Sequence, residues 1–259
     1  MKIHFLGTSA GWPLPRLGCK CKICASADPK DKRTRSQVLI NEDLLVDAGP
    51  DTYYHLNNPD IDPTKIKYLA ISHEHPDHTF GLWDLSHIYL ERKEDKITKG
   101  GRSKIKIIVH PATYRKIQRL LFYKAYEIIQ GDVNKPIRIN DIEVSFLPVN
   151  HTDSTFGILI AGVKRFFWAP DFKTLPESTK KTLQGVDLIC MDGSELKITT
   201  PSHQTILEGI ALSKEIAAKQ TYFVHIGHRA LPHEELEKFV KKEGGENFHI
   251  PYDSLEINL

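Results

Sequence analysis

Two apolar rhythms share this chain. Short runs that alternate with polar residues or stand unbroken are bounded by turn residues, and between them lie segments whose apolar positions recur every three or four residues. Ile3 and Phe5 alternate within residues 2–6 and predict a first strand. Gly7-Thr8-Ser9-Ala10-Gly11 supplies a turn, and Pro13 and Pro15 keep the next segment out of helix. Val38–Ile40 and Leu44–Val46, split by Asn41-Glu42-Asp43, predict a hairpin. Residues 66–72 predict a buried strand, and Phe80, Trp83, His87, Ile88 and Leu90 approximate helical spacing. Residues 91–103 are polar, with Gly100-Gly101, and predict a loop. A strand at Ile105–Val109 and a helix over 112–130 follow, the latter with Tyr114, Ile117, Leu120 and Leu121 on its apolar side. Further strands are predicted at 142–146, Phe156–Ala161, 166–168, 186–191 and 222–224, and helices at 204–219 and 234–242. This alternation predicts an α/β fold, two β-sheets sandwiched between helices in a four-layer αββα arrangement.

Bulk composition narrows the function. The chain has 259 residues, 40% of them hydrophobic, enough for a substantial core. A formal net charge of +2 argues against an extended nucleic-acid surface, which needs a clear basic excess. The charge runs at 30–35 and 91–96 predict solvated surface. The first apolar run is too short for a signal-peptide core and no stretch is long enough to span a bilayer, so a cytoplasmic location is expected.

The densest chemistry is Ser72-His73-Glu74-His75-Pro76-Asp77-His78, directly after a predicted strand. Imidazole and carboxylate together suit zinc, manganese or iron. In extended chain, residues two apart point the same way, so His73 and His75 can share an ion while Asp77 and His78 face a second. A pair of such ions activates water for hydrolysis. His151, Asp171 and His225 each lie just past the end of a predicted strand, as His73 does, and α/β folds gather functional loops at strand C-termini. His4, His55, His87, His110, His233 and His249 have no such context and are expected to be structural or surface residues.

Cys19, Cys21 and Cys24 form C-x-C-x-x-C, which suits a tetrahedral structural zinc lacking one ligand. A redox pair and free buried thiols compete with that reading, although an odd number of thiols makes disulfides awkward. Cys190 stands in an apolar run and is expected to be a small core residue.

The run at 73–78, with Asp47, His151, Asp171 and His225 in order, resembles the metallo-β-lactamase fold superfamily across the whole chain. Within it, Leu6-Gly7-Thr8, the segment Leu17–Cys24, Asn150-His151-Thr152, Thr155-Phe156-Gly157, Ser202-His203 and His225-Ile226-Gly227-His228 are similar to the phosphoribosyl 1,2-cyclic phosphate phosphodiesterases of bacterial phosphonate breakdown. The resemblance implies one hydrolase domain over residues 1–259 with a zinc-stapled loop at about 12–36. It implies one metal on His73, His75 and His151, a second on Asp77, His78 and His225, and Asp171 bridging. Asp47 would orient a ligand histidine, and His228 would complete the cysteine zinc site. His203 would be the general acid and, with Asp77, a catalytic side chain. The cofactors implied are two divalent ions, Mn²⁺ or Zn²⁺, and one structural Zn²⁺. The substrate would be a small ribose phosphodiester, a cyclic one as in the family it resembles, and the assembly a homodimer.

Other chemistries share the fold, since function does not follow from fold alone. Lactone and thioester hydrolases and a tRNA-processing nuclease use similar ligands, but the chain shows no long basic arm. A pyrroloquinoline quinone biosynthesis protein resembles the same glycine-rich and cysteine-rich N-terminal region and would act in cofactor handling. Its group departs from the full histidine–aspartate set, which this chain keeps.

Overall fold

The computed structural model describes residues 1–88, 92–93, 96–97, 104–121, 126–133 and 135–259. In chain order its elements are β1 (Lys2–Gly7), β2 (Gln37–Ile40), β3 (Leu44–Val46), α1 (Thr52–Leu56), β4 (Tyr68–Ile71), α2 (Pro76–Thr79), α3 (Leu82–Ile88), β5 (Arg92–Lys93), β6 (Lys96–Ile97), β7 (Ile105–Val109) and α4 (Pro111–Ile117). The remainder are β8 (Tyr126–Gln130), β9 (Ile137–Ile139), β10 (Ile142–Pro148), β11 (Phe156–Ala161), β12 (Arg165–Ala169), α5 (Glu177–Leu183), β13 (Leu188–Asp192), α6 (Ile206–Glu215), β14 (Thr221–Val224), α7 (His233–Gly244), β15 (Phe248–His249) and β16 (Leu255–Asn258).

The long strands form two seven-stranded mixed sheets, in the orders β16-β1-β2-β3-β4-β7-β8 and β15-β14-β13-β12-β11-β10-β9. Side-chain alternation sorts each strand between layers. Ile3, Phe5, Val38, Ile40, Leu44 and Val46 point into the core between the sheets, where they meet Ile158, Phe166, Trp168 and Cys190 of the second sheet. Their neighbours Leu39 and Leu45 point outward to pack with Leu56, Leu82, Leu85 and Ile117 of the first sheet's helices. Phe167, Ile189 and Met191 point out of the second sheet toward Leu183, Ile206, Ile210, Leu236 and Val240. The result is the expected four-layer sandwich, and Cys190 is the core residue its context suggested.

The expected helix over 112–130 is corrected. It ends at Ile117, a 3₁₀ turn covers Gln118–Leu120, and Tyr126–Gln130 is strand β8, parallel to β7. Tyr126, Ile128 and Ile129 are better suited to a pleated surface than to a helix, and the open side of β7 supplies backbone partners. The expected helix at 204–219 is shorter, since Thr205 caps it and Ile216 closes it. Apart from the paired dipeptides β5 and β6, the loop expected over 91–103 lies outside the described residues, as does Leu90.

The two sheets are stitched together at one end. Phe156 N–H donates to Ser72 O (3.0 Å), Ile226 N–H to Thr8 O (2.9 Å) and Ala10 N–H to Ile226 O (3.1 Å). At this end β3, β4, β10, β12, β13 and β14 all release their chains.

Candidate metal centre

The chains released there bring His73, His75, Asp77, His78, His151, Asp171 and His225 together from four segments distant in sequence. Two donor groups result: His73, His75, His151 and Asp171, and then Asp77, His78, Asp171 and His225. Within each group the ligand atoms lie within 4.8 Å of one another. Asp171 belongs to both. His73 Nε2 lies 3.0 Å from His75 Nδ1, and His151 Nε2 lies 3.3 Å from the same atom. Asp171 Oδ2 is 3.3 Å from His73 Nε2 and 2.9 Å from His78 Nε2, and its Oδ1 is 3.1 Å from His225 Nε2. Asp77 Oδ2 stands 3.2 Å from His78 Nε2 and 3.4 Å from His225 Nε2.

Local structure explains this convergence. Pro76 starts the short helix α2, which turns Asp77 and His78 back under the strand end. Gly49 lets the chain after β3 press on this turn, because a Cβ there would meet Asp77 O at 2.0 Å. The far ring nitrogens are fixed from behind. His73 Nδ1 faces Ser72 Oγ (3.0 Å), His151 Nδ1–H donates to Ser202 O (2.9 Å), and His78 Nδ1–H donates to Asp47 Oδ2 (3.0 Å). Asp47 also accepts from Ser72 N–H (2.8 Å), the Ser72 hydroxyl and Trp168 Nε1–H (3.0 Å). Such outer contacts set imidazole tautomer and aim.

The donor set fits divalent ions. His78 Nε2, Asp171 Oδ1 and His225 Nδ1 are buried without an aligned hydrogen-bond partner. Imidazole nitrogens crowded against one another at 3.0–3.3 Å cannot all be satisfied by protons they share. Burial, and then the charge of His78, hold His73 down to about 4, so it stays neutral. Burial pushes Asp77 and Asp171 upward, but the facing histidines outweigh it and keep both carboxyls well below their usual range. Burial lowers His78 and His225 as well, but the facing carboxylates outweigh it and raise both, so a cation arriving there would displace protons, whereas neutral His73 and the ionised carboxylates are already in metal-binding form.

The site opens into a cavity of about 510 Å³ whose wall includes His203. The His203 ring lies 5.1 Å from that of His151 and 5.7 Å from that of His225. Its Nδ1 is 2.7 Å from Asp192 Oδ2, which leaves Nε2 as the free ring nitrogen. Burial lowers the His203 pKa, but the bond to Asp192 and the Asp192 charge outweigh this and raise it to about 9. Asp192 closes β13 and also accepts from the Phe172 and Ser194 N–H groups. No sequence signal marks its role beyond its place at a strand end. Glu195, Arg16, Arg229 and Trp12 on the cavity wall were also missed, because no motif carries them.

Cys19, Cys21 and Cys24 bring their sulfurs together in a second group, with no disulfide among them. His228 Nδ1 lies 3.6 Å from Cys19 Sγ, and His228 O accepts from Cys21 Sγ–H (3.3 Å). The six remaining histidines lie outside both groups. His55, for example, is held between Thr34 Oγ1 and Gln37 Oε1, and His110 caps α4.

Residues 42–226 match the family model of the β-lactamase superfamily domain, and the chain belongs to this superfamily. Its fold and donor set are those of a metal-dependent hydrolase. A diphosphatase of the PhnP family superposes with a TM-score of 0.84 at 26% identity, covering 100% of this chain and 97% of that one. The Zn²⁺-bound PqqB of Methylobacterium extorquens superposes with a TM-score of 0.83 at 20% identity over the full length of both chains, a likeness of fold. An octanoyltransferase of Porphyromonas gingivalis is 26% identical over 99% of this chain, which spans 51% of that protein's length. Coenzyme PQQ synthesis protein B of Methylorubrum populi is 26% identical over 76% of this chain and 74% of its own. Among the described residues, no helix is long and apolar enough to cross a membrane.

Proposed function

We propose that this protein is a phosphodiesterase that hydrolyses a small ribose phosphodiester, a cyclic one included. The observation that carries this reading is the position of Asp171, shared by two adjacent donor groups beside the His203–Asp192 pair. His73, His75 and His151 would hold one divalent ion and Asp77, His78 and His225 the other, with Asp171 available to both. When bound, such a pair, Mn²⁺ or Zn²⁺, activates water and neutralises charge on phosphoryl oxygens. Cys19, Cys21, Cys24 and His228 hold a structural Zn²⁺. The PhnP-family diphosphatase supports phosphorus as the electrophile.

The chain's own part follows from its geometry. The cavity wall holds the ester against the donor groups. Asp77 keeps a negative charge beside His78 and His225 and fixes both rings. The attacking water gives up one proton to solvent; as its oxygen bonds to phosphorus and the ester P–O bond breaks, His203 Nε2 gives its proton to the leaving alkoxide and is reprotonated from solvent. Asp192 holds Nδ1–H and steadies the charged ring beforehand. A general acid of this kind contributes about 10²–10⁴-fold. One domain over residues 1–259, a homodimer and a cytoplasmic place of action belong to the same reading.

The test compares metal-loaded protein on bis-p-nitrophenyl phosphate, nitrocefin and a lactone panel. Phosphodiester turnover should dominate, and faster lactam or lactone turnover would reject the reading. His203→Ala should keep its metals and lose about 10²-fold or more with alkyl leaving groups, but much less with nitrophenolate. The PQQ synthesis protein B relatives favour a second reading, cofactor handling without hydrolysis. A protein that binds one ion at its cysteines and none at the histidine cage would support it.

A further inference from the structure

The cavity in front of the metal centre carries groups that hydrolysis at the donor cluster does not use. Trp12 lies on its wall and is 65% exposed. Arg16 and Arg229 line the same wall. The Arg16 guanidinium sits 5.3 Å from the Trp12 ring centroid, and its Nη1 is 3.0 Å from His228 Nε2. Arg229, the next residue after His228, is anchored by an ion pair to the buried Glu195 while its side chain stays 51% exposed. Among the described residues, the partners of the Arg16 side chain are the Trp12 ring and the His228 imidazole, neither of them a carboxylate.

These groups stand directly against the reaction centre. A Cβ on Gly11 would meet the Asp77 carboxylate at 3.1 Å, so the chain entering Trp12 runs close past that candidate ligand. An aromatic face beside a guanidinium without a counter-charge recognises a planar ring joined to an anion. Bases stack on exposed tryptophan, and arginine takes phosphate oxygens in fork geometry.

We propose that Trp12, Arg16 and Arg229 form the subsite for the nucleotide portion of the substrate, the base stacked on Trp12 and its phosphate held between the two arginines. This rests on the phosphodiesterase reading and narrows it from ribose phosphodiesters in general to small nucleotide esters. At about 510 Å³ the cavity suits one small ligand better than a folded RNA.

The full chain, loaded with metal, provides the test. Titration with ADP, AMP and ribose 5-phosphate is followed by tryptophan fluorescence. ADP and AMP should quench it and bind at least about fivefold more tightly than ribose 5-phosphate, since the base adds a stack. Trp12→Phe should abolish the quench. Arg16→Gln should weaken ADP by about tenfold to a hundredfold, the worth of one charge-assisted bond to phosphate. In kinetics, the ratio of kcat/KM for thymidine 5′-(p-nitrophenyl phosphate) to that for bis-p-nitrophenyl phosphate should fall about tenfold in Arg16→Gln. Equal binding of AMP and ribose 5-phosphate, or an unchanged ratio, would overturn the subsite even with hydrolysis intact. Turnover confined to a tRNA precursor, with no quench by ADP, would overturn it too. Absence of any phosphoester hydrolysis would instead strike the parent reading, and nucleotide quenching would still report the subsite by itself. If Arg16→Gln fails to fold, the wild-type comparison of AMP with ribose 5-phosphate decides.

Discussion

Asp47 sits at φ 62°, in the left-handed region that non-glycine residues rarely adopt, with its carboxylate fully buried. That conformation turns the side chain inward from the end of β3, where it collects the Ser72 amide and hydroxyl, the His78 imidazole and the Trp168 indole. It touches no candidate metal position, yet it sets the aim of one ligand and the chain carrying two more. Asp47→Ala should therefore lower affinity for the divalent pair by about 10–100-fold, measured by competition with a chromogenic chelator. Trp168→Phe keeps the ring and loses a single donor, so its loss should be smaller. Unchanged affinity in Asp47→Ala would show that the cage positions itself. At this scale much could be read from sequence, because four donors fall in one short run and the other three follow strand ends. Asp192, Arg16 and Arg229 could not, because no motif carries them: Asp192 meets His203 only through the fold, and the arginines come together only on the cavity wall.

Between elements, the expected strands were recognised where apolar alternation or unbroken runs were flanked by turns, as at β2–β3 and β10–β11. The stretch after α4 misled because Tyr114, Ile117, Leu120 and Leu121 sustain a helical period into a strand, whose identity depends on pairing with β7. Joints between elements were equally invisible. Asp187, just before β13, accepts from the Arg165 N–H at the start of β12 (2.9 Å) and from Lys219 ahead of β14 (2.8 Å). Burial raises its pKa, but the Lys219 bond, the Arg165 amide and the lysine charges outweigh it and hold the carboxyl at about 2. A depressed carboxyl pKa means that its stabilisation is complete above the unfolded value near 3.8 and fades as pH falls through about 2. Asp187→Asn should cost about 1 kcal/mol at neutral pH, since the lysines are partly screened by solvent. Urea midpoints of the two proteins should converge between about pH 4 and pH 2. A constant gap would mean that shape, not charge, matters there. Thr205 caps α6 in a reciprocal box with Glu208 and supports the segment carrying His203. Thr205→Ala should cost about 1 kcal/mol in the same assay, and no shift would leave α6 held by packing alone.

For the molecule as a whole, the layered architecture was legible because the strands of the two large sheets separate their apolar residues by face. The closure of the first sheet was not, since β1 pairs with β16 from the far end of the chain and local patterning holds no record of that partner. Long-range closure also explains why metals should matter to stability. The cage joins segments from both sheets at the seam where Ser72 meets Phe156 and Thr8 meets Ile226. The cysteine group ties residues 19–24 to His228 beside the same seam. An ion that binds only the folded chain stabilises it by about 2.7 kcal/mol when present at a hundred times its Kd. Each such ion stripped by a strong chelator should accordingly lower Tm by roughly 5–10 °C, so removal of all metal should exceed the effect of losing one. Cys24→Ser divides this effect. It should lower Tm before any chelator is added, and the further drop on stripping should then come from the histidine cage alone. Manganese should restore only that second drop. If confirmed removal of metal leaves Tm in place, the two sheets hold their seam through backbone bonds and core packing, and the donor groups serve chemistry without fastening the fold.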